Sequence, residues 1–146
     1  MKIQNYTSQV PASRSITEIE SMLVGIGATG ISKGYIDGKI RTLQFQVTID
    51  QFGSHSFLIP AKAEIVREIL VKGKKRIQKR AEKGLDEQAE RTAWRIVRDW
   101  VESQCAMIQL KQADAMEVFM PYMLIKGQTL YHKLRETKFK LLGDGK

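Results

Sequence analysis

Between Lys72 and Lys83 the chain reads Lys-Gly-Lys-Lys-Arg-Ile-Gln-Lys-Arg-Ala-Glu-Lys, seven basic residues against one acid. On a helix, Lys72, Lys75, Arg76, Lys79, Arg80 and Lys83 recur every three or four residues and make one cationic ridge about three turns long, with Lys74 beside it. Cations repeated on that scale suit phosphates, and each neutralised phosphate releases counterions. A solvated helix end or a charged loop is the plainer use of the same residues, and Gly73 and Gly84 are compatible with it. Further on, the run from Glu90 to Trp100 sets Arg91, Arg95 and Arg98 along one helical face with Trp94 among them. Arginine and tryptophan together clamp phosphates and stack bases, although tryptophan at helical spacing is more often a core anchor. We assign Trp100 to the core and keep Trp94, or Tyr35, as a stacking platform. The expected interface is therefore Lys72, Lys74, Lys75, Arg76, Lys79, Arg80 and Lys83, extended by Arg91 and Arg95.

The other reactive residue types do not assemble into a site. Gly25-Ile-Gly-Ala-Thr-Gly30 follows a helix and precedes a strand, the reverse of a dinucleotide fingerprint, and it lacks the Gly-Lys-Ser/Thr of a phosphate loop. His55 and His132 stand apart in the sequence. Cys105 lies in an apolar helical stretch and reads as a buried packing residue rather than a nucleophile. The Met116–Met123 run suits packing or a groove facing a partner. We expect a binding protein and not an enzyme, with no catalytic residues, no metal and no cofactor.

The elements that must carry these side chains give an α+β fold. Ser15-Ile-Thr-Glu18 reads as a capping box opening a helix on Ile16, Ile19, Leu23 and Ile26, with Gly25, Gly27 and Gly30 ending it. A three-stranded antiparallel meander follows. Its strands are Ile31–Ile36, about Lys39–Ile49 and Ser56–Ile59, with Asp37-Gly38 as a two-residue type I′ turn. In the second strand Leu43, Phe45, Val47 and Ile49 alternate with Thr42, Gln44, Gln46 and Thr48, so one face is apolar. A helix over Ala61 to about Arg80 is broken at Gly84, and Asp86 caps the next, which runs to about Lys111. Asp114 caps a short helix through Phe119, Tyr122–Tyr131 is an irregular hairpin, and 137–146 is a frayed basic tail. We expect one domain over 1–146, with an arm over about 1–12.

The whole composition narrows the setting. Lys and Arg number 24 against 16 Asp and Glu, a net charge of +8, which favours polyanionic partners. A hydrophobic fraction of 42% over 146 residues is enough for a real core. No apolar run is long enough to span a bilayer, the N-terminus has no apolar leader segment, and one cysteine excludes an internal disulfide. A cytoplasmic protein without a membrane partner is expected.

The run Ala89-Glu-Arg-Thr-Ala-Trp-Arg95, continued by Asp99-Trp-Val101, Gln104, Ala106 and Val118-Phe-Met-Pro-Tyr-Met123, resembles small proteins encoded by bacteriophages and mobile elements. The likeness covers roughly the C-terminal half and implies a phage-type setting rather than a particular activity. The order of helix, meander and long helix beside a basic surface is similar to that of phage single-strand annealing proteins. The expectation is therefore non-sequence-specific binding of nucleic acid, single-stranded DNA included, through the phosphate backbone, in phage replication or recombination. A homo-oligomer could form by pairing of an exposed meander edge. The alternative is a protein-binding subunit or inhibitor that docks its basic ridge and Met-rich patch on a larger complex.

Overall fold

The computed structural model describes residues 4–72, 79–140 and 143, with the backbone alone at 60 and 79–81. It is an α+β chain: a helix, a three-stranded antiparallel sheet, a long helix and short C-terminal elements. Two compact units can be distinguished. One comprises Met1–Gly25 with Pro60–Ala106, and the other Ile26–Ile59 with Met107–Lys146.

The first unit is helical. Helix α1 spans Ala12–Gly25 and buries Ile16, Ile19 and Leu23 of the expected stripe, joined by Ser15, while Ile26 falls beyond the helix end and is only half-buried. Its start differs from the expected capping box. The helix opens three residues earlier, where the Pro11 carbonyl accepts from the Arg14 and Ser15 amides at 3.1 and 3.2 Å. Ser15 lies inside the first turn, fully buried, and its Oγ has no hydrogen-bond partner among the described residues. It shares the inward stripe with Ile16 and Ile19, so it packs as a small side chain instead of capping, and Glu18 is left to pair elsewhere.

Helix α2 spans Ala63–Lys72 and helix α3 spans Lys79–Gln109, its last turn falling in the second unit. Gly84 therefore does not break a helix but lies within α3, and Asp86 does not cap one. Instead, Arg67 of α2 donates to the Asp86 carboxylate. A mid-helix glycine costs about 1 kcal/mol, which burial of Leu85, Ala89, Ala93 and Val101 along the same helix outweighs. Trp94 is the largest fully buried side chain. Trp100, the expected core anchor, is only half-buried.

In the second unit, strands β1 (Ala28–Ile36), β2 (Lys39–Ile49) and β3 (Gly53–Pro60) form the sheet in the order β1-β2-β3. Positive φ at Asp37 (52°) and Gly38 (76°) gives the tight turn that the Asp-Gly pair predicts. Leu43, Phe45 and Val47 are buried on the predicted face, Ile49 is half-buried near the strand end, and Gln46 and Thr48 are exposed. On the opposite face Gly34 pairs with Thr42, and a Cβ on Gly34 would come within 2.3 Å of the threonine Oγ1, so any larger residue there would force the threonine side chain to turn. Helix α4 (Ala115–Phe119) supplies the aromatic lid. Phe119 sits edge-on to Phe45 at 5.2 Å, and Phe45 stacks on Phe57 at 5.2 Å. Asp114 caps α4 as expected, in a full capping box with Glu117.

After a 3-10 turn at Met120–Tyr122, β4 (Leu124–Ile125) and β5 (Gln128–Thr129) make the short hairpin. A helix not anticipated from the sequence, α5 (Leu130–Glu136), follows, with the Thr129 hydroxyl accepting from the His132 amide. No helix among the described residues is long and apolar enough to cross a membrane.

Candidate nucleic-acid interface

The described ends of the basic ridge belong to two helices, not one. Lys72 is the exposed last residue of α2, and Lys83 is exposed in the second turn of α3. Lys79 and Arg80 belong to the first turn of α3 by their backbone. Lys74, Lys75 and Arg76 lie outside the described residues.

Arg91 and Arg95 do share one face of α3, as their spacing requires, but that face is turned to the chain itself. Arg91 donates through Nε to the Ser8 carbonyl at 3.2 Å and through a terminal nitrogen to Gln88 Oε1 at 2.7 Å. Arg95 and Arg98 both donate to Glu18 Oε2 at 2.8 Å. Arg98 continues to Asp99 at 3.2 Å and to Glu102 at 2.6 Å. Burial disfavours the Glu18 carboxylate, yet the hydrogen bonds from Arg98 and Arg95 outweigh it and hold its pKa below the ordinary value. Asp99 behaves alike, with burial opposed by donation from Asn5 and Arg98. Two of the expected phosphate-binding arginines are therefore committed to internal acceptors that fix α1 and the N-terminal arm onto α3.

The arm is held through its main chain. Gln88 Nε2 donates to the Tyr6 carbonyl at 2.8 Å and to the Ser8 carbonyl at 3.2 Å, while Thr92 Oγ1 donates to the Asn5 carbonyl at 3.0 Å. Asn5 in turn donates to Asp99 at 2.9 Å. The arm and Arg95 frame an open depression of about 520 Å³.

The two stacking candidates separate cleanly. Trp94 is fully buried, so neither ring face can receive a base. Tyr35 is 61% exposed near the β1–β2 turn and keeps a ring available. The expectation for Cys105 agrees with its surroundings: it is buried, and burial pushes its thiol up to about 11, far from a nucleophilic thiolate.

A second surface was missed by reading 137–146 as a loose tail. Tyr131 on α5 and Phe139 just beyond it are both exposed, with ring centroids 6.2 Å apart, and the His132 ring lies 6.0 Å from Tyr131. Tyr131 and Arg135 are four residues apart on one helical face. The signal available in the sequence was Thr129, an N-cap residue, placed before this aromatic and basic run.

Protein-family models, curated proteins and solved structures were all compared with the chain, and none matches.

Proposed function

We propose that this protein binds nucleic acid through the phosphate backbone without reading sequence, in the replication or recombination of a phage-type element. The observation that carries the reading is where the charge lies. Residues 72–83 hold seven bases and one acid, so twelve residues account for a net +6 of the chain's +8. Farther along α3, Arg95 and Arg98 are paired internally with Glu18, Asp99 and Glu102, and Arg91 is held by the Ser8 carbonyl and Gln88. The segment is dense in cations by sequence, and Lys72 and Lys83 at its described ends are exposed; concentrated charge of one sign is the footprint of a polyanion partner. Assembly of several copies through a sheet edge belongs to the same proposal.

The test is a binding titration against single- and double-stranded DNA and RNA at several salt concentrations. Affinity should fall steeply with salt and hardly vary with sequence. Replacing Lys75, Arg76, Lys79 and Arg80 together by Ala should weaken binding to every sequence alike. The log–log salt slope should become shallower by up to about one per contact removed. Parent-like affinity in that variant, or no binding by the parent at low salt, would transfer the ridge to an acidic protein partner.

A further inference from the structure

We infer that the α5 surface is a second nucleic-acid site, one that takes unpaired bases and so directs the protein to single strands. This inference rests on the nucleic-acid reading above but uses different residues.

Its first support is composition in place. From Lys126 to Lys140 there are five bases, Lys126, Lys133, Arg135, Lys138 and Lys140, against the single acid Glu136. That acid is engaged by Gln128 Nε2 at 2.9 Å. All five cations but Lys133, which is half-buried, are exposed.

The second support is the aromatic pair. Tyr131 and Phe139 are 47% and 36% exposed, and their rings lean together at 52°. Two large rings left at the surface within a cationic segment are poor packing and good recognition: bases stack on them while lysine and arginine follow the backbone.

The third support is how Phe139 is held. Lys138 and Phe139 are consecutive left-handed residues, at φ 53° and 59°, a region that a phenylalanine seldom enters. The Phe139 amide donates to the Leu134 carbonyl at 2.7 Å and the Lys138 amide to Arg135 at 3.0 Å, which closes the end of α5 and folds the chain back. The reversal brings the Phe139 ring beside Tyr131, eight residues earlier. Backbone strain is here spent on keeping an exposed ring in place, and such outliers gather at functional sites.

Single strands fit better than the other polyanions. In a duplex the base faces are covered by their neighbours, so the rings would have nothing to stack on. An anionic membrane would be met by a continuous apolar helix face, whereas the aliphatic side chains of α5, Leu130 and Leu134, are both half-buried against the chain itself.

The experiment compares oligothymidylate, a duplex of mixed sequence and phosphatidylserine–phosphatidylcholine vesicles as ligands for the full chain. The variants are Tyr131→Ala, Phe139→Ala, Phe139→Gly and the ridge quadruple variant. Phe139→Gly removes the ring while relieving the left-handed backbone, and a melting curve recorded beside the parent's separates loss of the ring from loss of the fold. Each ring removed should cost at least about fivefold in affinity for oligothymidylate and leave duplex affinity unchanged, while Tyr131→Phe should bind like the parent. Photocrosslinking to bromodeoxyuridine oligonucleotides should map to Tyr131 or Phe139. Unchanged oligothymidylate affinity, or an equal loss on duplex, overturns the inference but leaves the ridge reading standing. Ring-dependent binding to the vesicles alone overturns it in favour of a membrane surface. Binding of no nucleic acid by the parent removes both readings together.

Discussion

Glu18 shows how one side chain can redirect others. Its carboxylate accepts from Arg95 and Arg98 on α3, and Arg14 lies 3.5 Å away on its own helix. Because the Glu18 pKa is held below its ordinary 4.5, the native state binds this proton less readily than the unfolded chain. The associated stability is present above pH of about 4.5 and is lost as pH falls through the lower native pKa. Glu18→Gln should cost about 1–2 kcal/mol at neutral pH, the scale of hydrogen bonds to charged groups. The gap from the parent should narrow below pH of about 4.5, as read by denaturant titration at several pH values. Cys105 behaves oppositely. Its thiol is raised from 9.0 to about 11, so the native state holds the proton more tightly, and its stabilising share fades as pH rises from about 9 to 11. Alkylation by iodoacetamide should therefore remain slow at pH 9 and still be accelerating at pH 10. A plateau near pH 9 would show an ordinary exposed thiol.

Among the elements, α3 departs most from expectation. Its register was legible only in part: Ala89 and Ala93 are buried and Arg91 and Arg95 share a face, but Trp94, kept as a stacking platform, is buried, while Trp100, assigned to the core, is only half-buried. Its start was not legible, because Gly84 and Asp86 are a local stop and start signal that burial of Leu85, Ala89 and Ala93 overrules. The position records the conflict. Gly84 is exposed, has no positive φ, and a Cβ there would meet nothing within 4 Å. Gly84→Ala should therefore stabilise the protein by about 0.5–1 kcal/mol and raise the melting temperature by about 2–4 °C. A lowered melting temperature would mean that the glycine serves a conformation other than this helix. The sheet's order and its second strand, by contrast, were readable, since the Asp-Gly turn and the alternation in β2 act locally and agree, while β1 and β3 each begin three residues earlier than expected, at Ala28 and Gly53. Helix α1 was placed correctly but entered wrongly, because Pro11 and Ser15 both resemble helix openers and only the buried stripe decides between them. The α5 surface went unread because its aromatic pair depends on a chain reversal at Lys138 and Phe139, where non-glycine residues hold a glycine-like backbone.

At the scale of the molecule, composition shows a cluster of charge over 72–83 but not which cations are already engaged. It could not tell that Arg91 and Arg95 would be consumed by partners about 80 residues away in sequence. The same long spans have a consequence for synthesis. Gln4 and Asn5 bond to Asp99 across 95 and 94 positions, and Glu18 meets Arg95 across 77. The helical unit is written as two pieces with the whole sheet between them. A chain leaving the ribosome presents α1, with Ile16, Ile19 and Leu23 uncovered, well before α3 has been translated. The β1–β2 hairpin, whose pairing is local, can close during that interval. The first helix made is thus among the last to be finished, and the nascent chain carries its apolar stripe unprotected until the second half arrives.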